Sequence, residues 1–314
     1  MVSPVGSIRP MEPRDRIVGS MLGLALGDAL GAPFEFLRGR NIPNPIPAFE
    51  LPWMGLPPGS TTDDTAMARN LTRSLVERGG LDADDLIRRH VEWIASDPPD
   101  VGAITGRVLR RVQRGEDAAT VAREVWEQRG PEVSAGNGSV MYCAPLGLAY
   151  AHRPAELLEL APRLSALTHY DGRCQTAVLA VTLTVAALVR GEEPTAAVTE
   201  VLSSVDEREG GEELEYLVEV AGGARAIDGP DQGFCLFTAG VALQALLREG
   251  GFESEVRRVV SLGGDTDTNG AVAGALLGAR EGVAGLPSEW LSNLVQRGEI
   301  ESEAELLVSL AELP

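Results

Sequence analysis

Apolar residues recur at intervals of three and four along almost the whole chain, the spacing that keeps one face of an α-helix in contact with a core. From Arg14 to Gly31, the positions Ile17, Met21, Leu22, Leu24, Ala25 and Ala29 follow this rhythm and read as a buried helix. Further helical segments are expected over 64–78, 84–95, 101–114, 117–128, 139–151, 155–167, 172–190, 194–203, 211–224, 234–249, 252–261, 266–280, 287–297 and 302–312, punctuated by Gly, Pro, Asp and Ser. Strand-like alternation is scarce. Val181 to Val189 is rich in β-branched residues, but its flanks keep the helical spacing. One stretch breaks the rhythm: Phe34 to Gly59 carries Pro43, Pro45, Pro47, Pro52, Pro57 and Pro58 and holds no period. A loop this long within a compact domain usually covers or binds something. No internal repeat or low-complexity linker divides the chain. The expectation is one compact all-α, multi-helix domain over 14–314, with 34–61 as a flap loop and 1–13 as a loosely ordered tail.

Charge changes the picture more than composition does. The hydrophobic fraction of 44% is ordinary and supplies a core. The formal charge is -19, and every basic residue is Arg, with no Lys anywhere. Such a surface repels phosphate backbones and excludes a broad nucleic-acid-binding face. Met1 to Pro13 lacks the apolar stretch of a signal peptide. No uninterrupted apolar run reaches the roughly 18 residues of a spanning helix, so no membrane partner is expected. Cys143, Cys174 and Cys235 are widely spaced and each lies in an apolar helical stretch. They read as buried free thiols in a reducing compartment, and the cytoplasm is the expected location.

The candidate chemistry lies in two short acidic clusters. Ser60-Thr61-Thr62-Asp63-Asp64-Thr65 opens the helix that carries Ala66, Met67, Leu71 and Leu75. Oxygen-bearing residues at a helix start are ordinary caps. Capping accounts for one of them, not for two adjacent carboxylates flanked by hydroxyls. Gly263-Gly264-Asp265-Thr266-Asp267-Thr268-Asn269-Gly270 opens a second helix, nearly free of charge and full of small residues, which reads as buried. Carboxylates at the mouth of a buried helix are costly unless paired or metal-bound. Arg258 and Arg280 are the nearest bases in sequence, and both lie well outside the cluster. Hard Asp and Thr oxygens, without His or Cys, suit Mg²⁺, Mn²⁺ or Ca²⁺ rather than Zn²⁺. Four carboxylates from two such clusters suit two ions roughly 3.5–4 Å apart, which together activate water and stabilise a departing oxygen.

Five motifs in order extend the pattern over most of the chain: the run from Gly19 through Asp28 and Glu35 to Phe36, then Thr62-Asp63-Asp64-Thr65, Gly136-Asn137-Gly138-Ser139, Thr168-His169, and Gly263-Gly264-Asp265-Thr266-Asp267-Thr268. In this order and spacing the chain resembles the ADP-ribosylglycohydrolases, including the dinitrogenase reductase-activating glycohydrolases of bacteria. The resemblance implies an all-helical fold with two divalent ions, Mg²⁺ or Mn²⁺, held by Thr62, Asp63, Asp64, Asp265, Asp267 and Thr268, with Asp267 bridging. It implies hydrolysis at C1″ of an ADP-ribosyl group on a protein side chain, arginine favoured, or on a small conjugate. An oxocarbenium-like transition state would fit ordinary glycosidic chemistry. Asp63 or Asp64 would orient or deprotonate the water. Glu35, on a movable flap over the substrate, would be the third catalytic candidate. Asp28 reads instead as a structural partner for backbone or hydroxyl groups.

The resemblance also implies the substrate contacts Glu35, Asp100, Gly102, Ser134, Gly136, Asn137, Gly138, Ser139, Met141 and His169. Ser134 to Ser139 is read as the start of a helix containing Met141, Ala144 and Leu146, where glycines and free N–H groups would cradle a diphosphate or ribose. Relatives often carry Arg after the Met; Tyr142 stands here and takes that guanidinium contact away. Asp100 could simply cap the following helix, but the resemblance places it near the leaving group. His169 is either structural or on the substrate side, while His90 and His152 read as structural. Trp53 and Met54 could pack on adenine or on a partner, though isolated apolar loop residues need no function. Two alternatives stand beside the hydrolase: a hydrolase of another nucleotide conjugate, and a catalytically silent ADP-ribose-binding protein. The completeness of both acidic clusters argues against the second.

Overall fold

The computed structural model describes residues 11–208, 211–225 and 233–311. Among them are α-helices, short 3₁₀ turns and three isolated bridges, with no strand, so the chain is one all-α domain. The helices are α1 (Pro13–Gly31), α2 (Asp63–Arg78), α3 (Ala83–Ile94), α4 (Ala103–Gln113), α5 (Ala118–Arg129), α6 (Ala144–Ala149), α7 (Pro154–Ala166), α8 (Gly172–Val189), α9 (Pro194–Arg208), α10 (Glu212–Ala221), α11 (Cys235–Leu247), α12 (Phe252–Ser261), α13 (Thr266–Glu281), α14 (Ser288–Asn293) and α15 (Arg297–Ala311). Residues 1–10 of the expected tail lie outside the described residues, and Pro13 already opens α1.

Two expectations are corrected. The helix read over 139–151 is only α6, which starts at Ala144. Pro145 is the reason: its ring excludes a carbonyl four residues earlier and it has no N–H to give, so it is tolerated only in a first turn. The segment read as 287–297 is likewise two pieces, α14 and the first residue of α15.

The centre of the domain is α1 against α13, antiparallel and in backbone contact. Both helices place glycines four apart, and a Cβ on Gly23 would lie 2.2 Å from the Gly274 carbonyl oxygen, one on Gly27 1.9 Å from that of Gly270. Only glycine permits so close an approach. The seam carries Asp28 and Asp267 into the same region. Helices α1 and α8 are long and apolar enough to pass for membrane spans, with mean hydropathy 1.5, yet 94% and 83% of those windows are buried within the protein. Their apolar character is that of core helices.

The Pro-rich segment 34–61 contains no α-helix. It is nonetheless folded down. Phe36 N–H donates to the Gly264 carbonyl (2.7 Å) and Gly264 N–H to that of Leu37 (2.6 Å), tying its start to the loop before α13. Ile42, Ile46 and Trp53 are buried beneath it, Phe49 meets the Trp290 ring edge-on at 5.6 Å, and Met54 is exposed.

Candidate active site

The first acidic cluster is built from the helix start upward. Thr62 caps α2, its Oγ1 accepting from Asp64 N–H at 3.3 Å and donating to Asp64 Oδ2 at 3.2 Å. Asp28 on α1 anchors this turn from below. It is fully buried and accepts from Thr62 N–H (3.0 Å to each oxygen), Thr65 N–H (3.1 Å) and Thr65 Oγ1 (2.5 Å). The structural role expected of Asp28 is the one it fills. Asp63 Oδ2 accepts from Gly102 N–H at 3.3 Å, which joins α2 to the start of α4.

The second cluster meets the first directly. Thr268 Oγ1 donates to Asp64 Oδ2 at 3.4 Å, and Asp265 Oδ2 accepts from Asn137 Nδ2 at 2.9 Å. Asn137 Nδ2 also reaches Thr238 Oγ1 at 3.0 Å, so the Gly-rich turn is tied to α11 as well as to α13. Carboxylate oxygens of Glu35, Asp100 and Asp267 lie within 4.8 Å of one another. Asp64 Oδ1 and Asp267 Oδ1 are fully buried and have no hydrogen-bond partner among the described residues. A buried, unsatisfied carboxylate oxygen costs free energy unless a cation sits on it. The donor set, all hard oxygens, fits divalent ions of the Mg²⁺ or Mn²⁺ type.

Electrostatics agree with that fit. Burial first, then the neighbouring carboxylates, raises Glu35 to about 8 and Asp63 to about 7. Burial raises Asp28 to about 6 against its four hydrogen bonds, and burial followed by neighbouring carboxylates (Asp28 foremost for Asp64, Asp265 for Asp267) pushes Asp64 and Asp267 well up. The folded protein without cations therefore binds more protons here than the unfolded chain, whose carboxyls titrate near roughly 4. The stability this contributes is complete below about pH 4 and is lost as pH rises through about 6, 7 and 8 for Asp28, Asp63 and Glu35. In EDTA the melting temperature is expected to fall between pH 5.5 and 8.5, and Mn²⁺ should restore it mainly at the alkaline end. Equal Mn²⁺ stabilisation at both pH values would contradict this account.

Two cavities, the smaller of about 120 Å³, share Asp63 and Asp100 in their linings. The larger, about 410 Å³, is lined by Glu35, Asp63, Asp100, Gly102, Gly136, Asn137, Gly138, Met141, His169, Asp265, Asp267 and Thr268. A further open space of about 400 Å³ shares Gly136 and Gly233 with it and is walled by Arg173, Tyr216 and Phe234. Tyr216 and Phe234 stand edge-to-face at 5.1 Å, and Arg173 lies 5.8 Å over the Phe234 ring.

Comparison with known proteins now decides the family. The profile described as ADP-ribosylglycohydrolase matches residues 9–314. The chain belongs to the ADP-ribosylglycohydrolase family. It is 33% identical over 307 residues to the ADP-ribosyl-[dinitrogen reductase] glycohydrolase of Rhodospirillum rubrum, covering 95% of this chain and 97% of that one. It is 27% identical to the ADP-ribosylarginine hydrolase Tri1 of Pseudomonas putida, covering 97% and 81%. A solved structure titled ADP-ribosylglycohydrolase-related protein complex superposes with TM-score 0.80 at 35% identity, covering 96% of this chain and 99% of that one.

Of the six residues read as ligands, Asp63, Asp265, Asp267 and Thr268 line the larger cavity and Thr62 and Asp64 connect to them through hydrogen bonds at Asp64 Oδ2, while eight of the ten substrate candidates line the same cavity. Ser134 and Ser139 do not. Ser134 Oγ donates to the Gly130 carbonyl at 2.6 Å, and Ser139 Oγ pairs with Ser165 Oγ at 2.9 Å, so both hydroxyls hold the turn together. With α6 starting only at Ala144, the turn 136–139 is not the start of a helix, and its Asn137 N–H already donates to the Gly233 carbonyl at 3.1 Å. His169 supports that turn from behind. Burial lowers its pKa to about 4, leaving the ring neutral, and a Cβ on Gly138 would come within 2.8 Å of its Cε1. Asp100 does not cap α4; Gly102 holds that position without any side-chain cap. Tyr142 is buried edge-on against His90 at 5.3 Å, away from the cavity. The three cysteines are free and buried, and Cys174 Sγ lies 3.2 Å from the Gly136 carbonyl beneath the turn.

Sequence reading missed Phe36, Thr105, Arg129 and Gly233 in the larger cavity, and Tyr216, Phe234 and Arg173 beside it. The aromatic residues carried one usable signal. With aromatics at only 4% of the chain, Tyr216 and Phe234 flanking a Gly-rich, Asp-rich stretch stand out.

Proposed function

We propose that the protein is a divalent-metal-dependent ADP-ribosyl hydrolase that cleaves the C1″ bond of an ADP-ribosylated side chain, arginine favoured, and releases ADP-ribose. The observation that carries this is the pair of buried carboxylate oxygens on Asp64 and Asp267 that have no partner among the described residues, Asp267 lining a cavity walled by a Gly-rich turn. The ion ligands are Thr62, Asp63, Asp64, Asp265, Asp267 and Thr268. When bound there, two Mg²⁺ or Mn²⁺ ions supply a polarised water and compensate charge on the ribosyl oxygens.

The chain's own residues do the rest. Gly136 and Gly138 let the backbone come close to the diphosphate, with Arg129 as the nearby cation among the cavity-lining residues. Adenine fits against Tyr216 and Phe234, a partly aromatic wall that tolerates a flat base. Asp63, held by Gly102 N–H, faces the cavity and takes the proton of the attacking water. Glu35, at the start of the flap segment, lines the cavity and gives a proton to the leaving nitrogen. The segment 34–61 carries Glu35 and acts as the flap over the bound ribose.

The test is a side-by-side assay of ADP-ribosyl-arginine, ADP-ribosyl-serine, O-acetyl-ADP-ribose and ADP-ribosylated nucleic acid, with Mn²⁺, with Mg²⁺ and after chelation. Turnover is expected with either ion and greatest on the arginine conjugate. Full activity in the metal-stripped protein would sink the reading. ADP-ribose binding without turnover of any conjugate would favour the silent binding protein.

A further inference from the structure

A diphosphate in the larger cleft needs hydrogen-bond donors, and part of the Gly-rich wall is already committed. Asn137 N–H goes to the Gly233 carbonyl, and Val140 and Met141 N–H both go to the Asn137 carbonyl, at 2.7 and 3.1 Å. The adjoining wall is the first turn of α4, where Gly102, Ala103, Ile104 and Thr105 all line the cleft. The first bond within that helix runs from Gly106 N–H to the Gly102 carbonyl at 2.8 Å. Gly102 holds the cap position and has no side chain to give, so the N–H groups of Ala103, Ile104 and Thr105 have no partner within the helix. Asp63 takes the N–H of Gly102, one residue before these.

A bare helix start alone does not make a site. Thr105 adds an independent observation. It is 1% exposed, and its Oγ1 is buried without a hydrogen-bond partner among the described residues. Thr72, Thr182 and Thr184, buried inside other helices, give their hydroxyls to the carbonyl four residues back at 3.0, 2.8 and 2.7 Å. For Thr105 the residue four back is Val101, which precedes the helix. Its hydroxyl stands instead against the Gly-rich turn: a Cβ on Gly138 would lie 2.9 Å from Thr105 Oγ1 and 3.0 Å from His169 Nε2. A buried hydroxyl without a partner costs free energy, and a ligand oxygen that accepts its hydrogen removes that cost.

We propose that Thr105 is a specificity-determining residue for the diphosphate: its hydroxyl, with the free N–H groups of the first turn of α4, donates to phosphate oxygens lodged between that turn and Gly138. The assignment rests on the ADP-ribosyl hydrolase reading above and supplies the donors that the Gly-rich turn has spent. A helix start favours an anion over a neutral group, which selects the diphosphate over a ribose hydroxyl. Arg129, lining the same cleft, adds to that preference.

Two variants test it. Thr105→Val keeps the branched shape and removes the hydroxyl; Thr105→Ser keeps the hydroxyl. Without ligand, the Val protein is expected to melt at or above the parent temperature, because the hydroxyl it lacks had no partner. With Mn²⁺ present, its affinity for ADP-ribose should fall about tenfold by calorimetry, and KM on whichever conjugate the parent cleaves should rise by a similar factor. In the same variant kcat should change by less than about threefold, and affinity for Mn²⁺ alone should stay parental. ADP, which keeps the diphosphate and lacks the distal ribose, should lose as much affinity as ADP-ribose. Thr105→Ser should return every reading to within about twofold of the parent. Parental ADP-ribose affinity in the Val protein overturns the assignment and leaves the hydrolase reading standing. A Val protein that melts well below the parent overturns it too, since the hydroxyl would then be satisfied within the fold. A loss on ADP-ribose but not on ADP moves the contact to the ribose and overturns the diphosphate assignment. A parent that binds no ADP-ribose takes down both readings.

Discussion

Replacing Asp267 by Asn is expected to abolish tight Mn²⁺ binding and to lower kcat by about a thousandfold or more, roughly 4 kcal/mol of transition-state stabilisation. The substitution is nearly isosteric, so the effect isolates charge. Asp267 is fully buried, its Oδ1 has no partner among the described residues, and one of its oxygens lies within 4.8 Å of carboxylate oxygens from Glu35 and Asp100. An amide there cannot hold a divalent ion between the two clusters as a carboxylate does. Stability should move the opposite way. In the absence of divalent ions, removing one of several crowded buried charges is expected to raise the melting temperature at pH 8, where the parent carries the most repulsion. Calorimetric Mn²⁺ titration, steady-state turnover and melting in EDTA read the three effects separately. An Asn variant that keeps parental Mn²⁺ affinity would refute the placement of Asp267 in the centre.

Gly27→Ala is expected to destabilise the fold by about 3 kcal/mol or more, although helix propensity alone favours Ala by about 1 kcal/mol. The sign is decided by the seam between α1 and α13. A Cβ at position 27 would lie 1.9 Å from the Gly270 carbonyl oxygen and 2.4 Å from its carbon, both backbone atoms that no rotamer change can move. The helices must part. Asp28 and Asp267 ride on those same helices, so Mn²⁺ affinity should fall with stability. Gly298→Ala is the contrast: that glycine is exposed in α15 with nothing within 4 Å of the added Cβ, and the change should be neutral or mildly stabilising. Urea denaturation of the two variants compares them. A Gly27→Ala protein as stable as the parent would mean that the helices are not in backbone contact.

The local features of the site were legible before the fold. The Thr62-Asp63-Asp64 and Asp265 to Thr268 clusters announce hard oxygen donors by residue type alone, and the prolines of 34–59 announce a segment that cannot be helical. Asp28 was legible as a structural carboxylate because it falls inside an apolar helix, and the structure bonds it to Thr62 and Thr65. The glycine seam was visible only in part. The four-residue spacing of Gly19, Gly23, Gly27 and Gly31, and of Gly270, Gly274 and Gly278, is in the sequence; which helix each row meets is not. Ser134 and Ser139 show what residue type leaves open, because a hydroxyl in a Gly-rich turn looks available. Their partners, Gly130 and Ser165, are fixed only by the packing of the turn.

The sequence by itself determined the helical class, most helix positions and the hard-oxygen chemistry of the two acidic clusters. Periodicity, proline geometry and the hardness of oxygen donors are properties of a residue and its near neighbours. Tertiary structure alone decided which carboxylate oxygens remain unsatisfied, which serines are consumed by the scaffold, and that two separate cavities meet at Asp63 and Asp100. Burial and hydrogen-bond satisfaction depend on groups hundreds of positions away in the chain. Thr268 on α13 reaching Asp64 on α2 across 204 residues is the clearest instance.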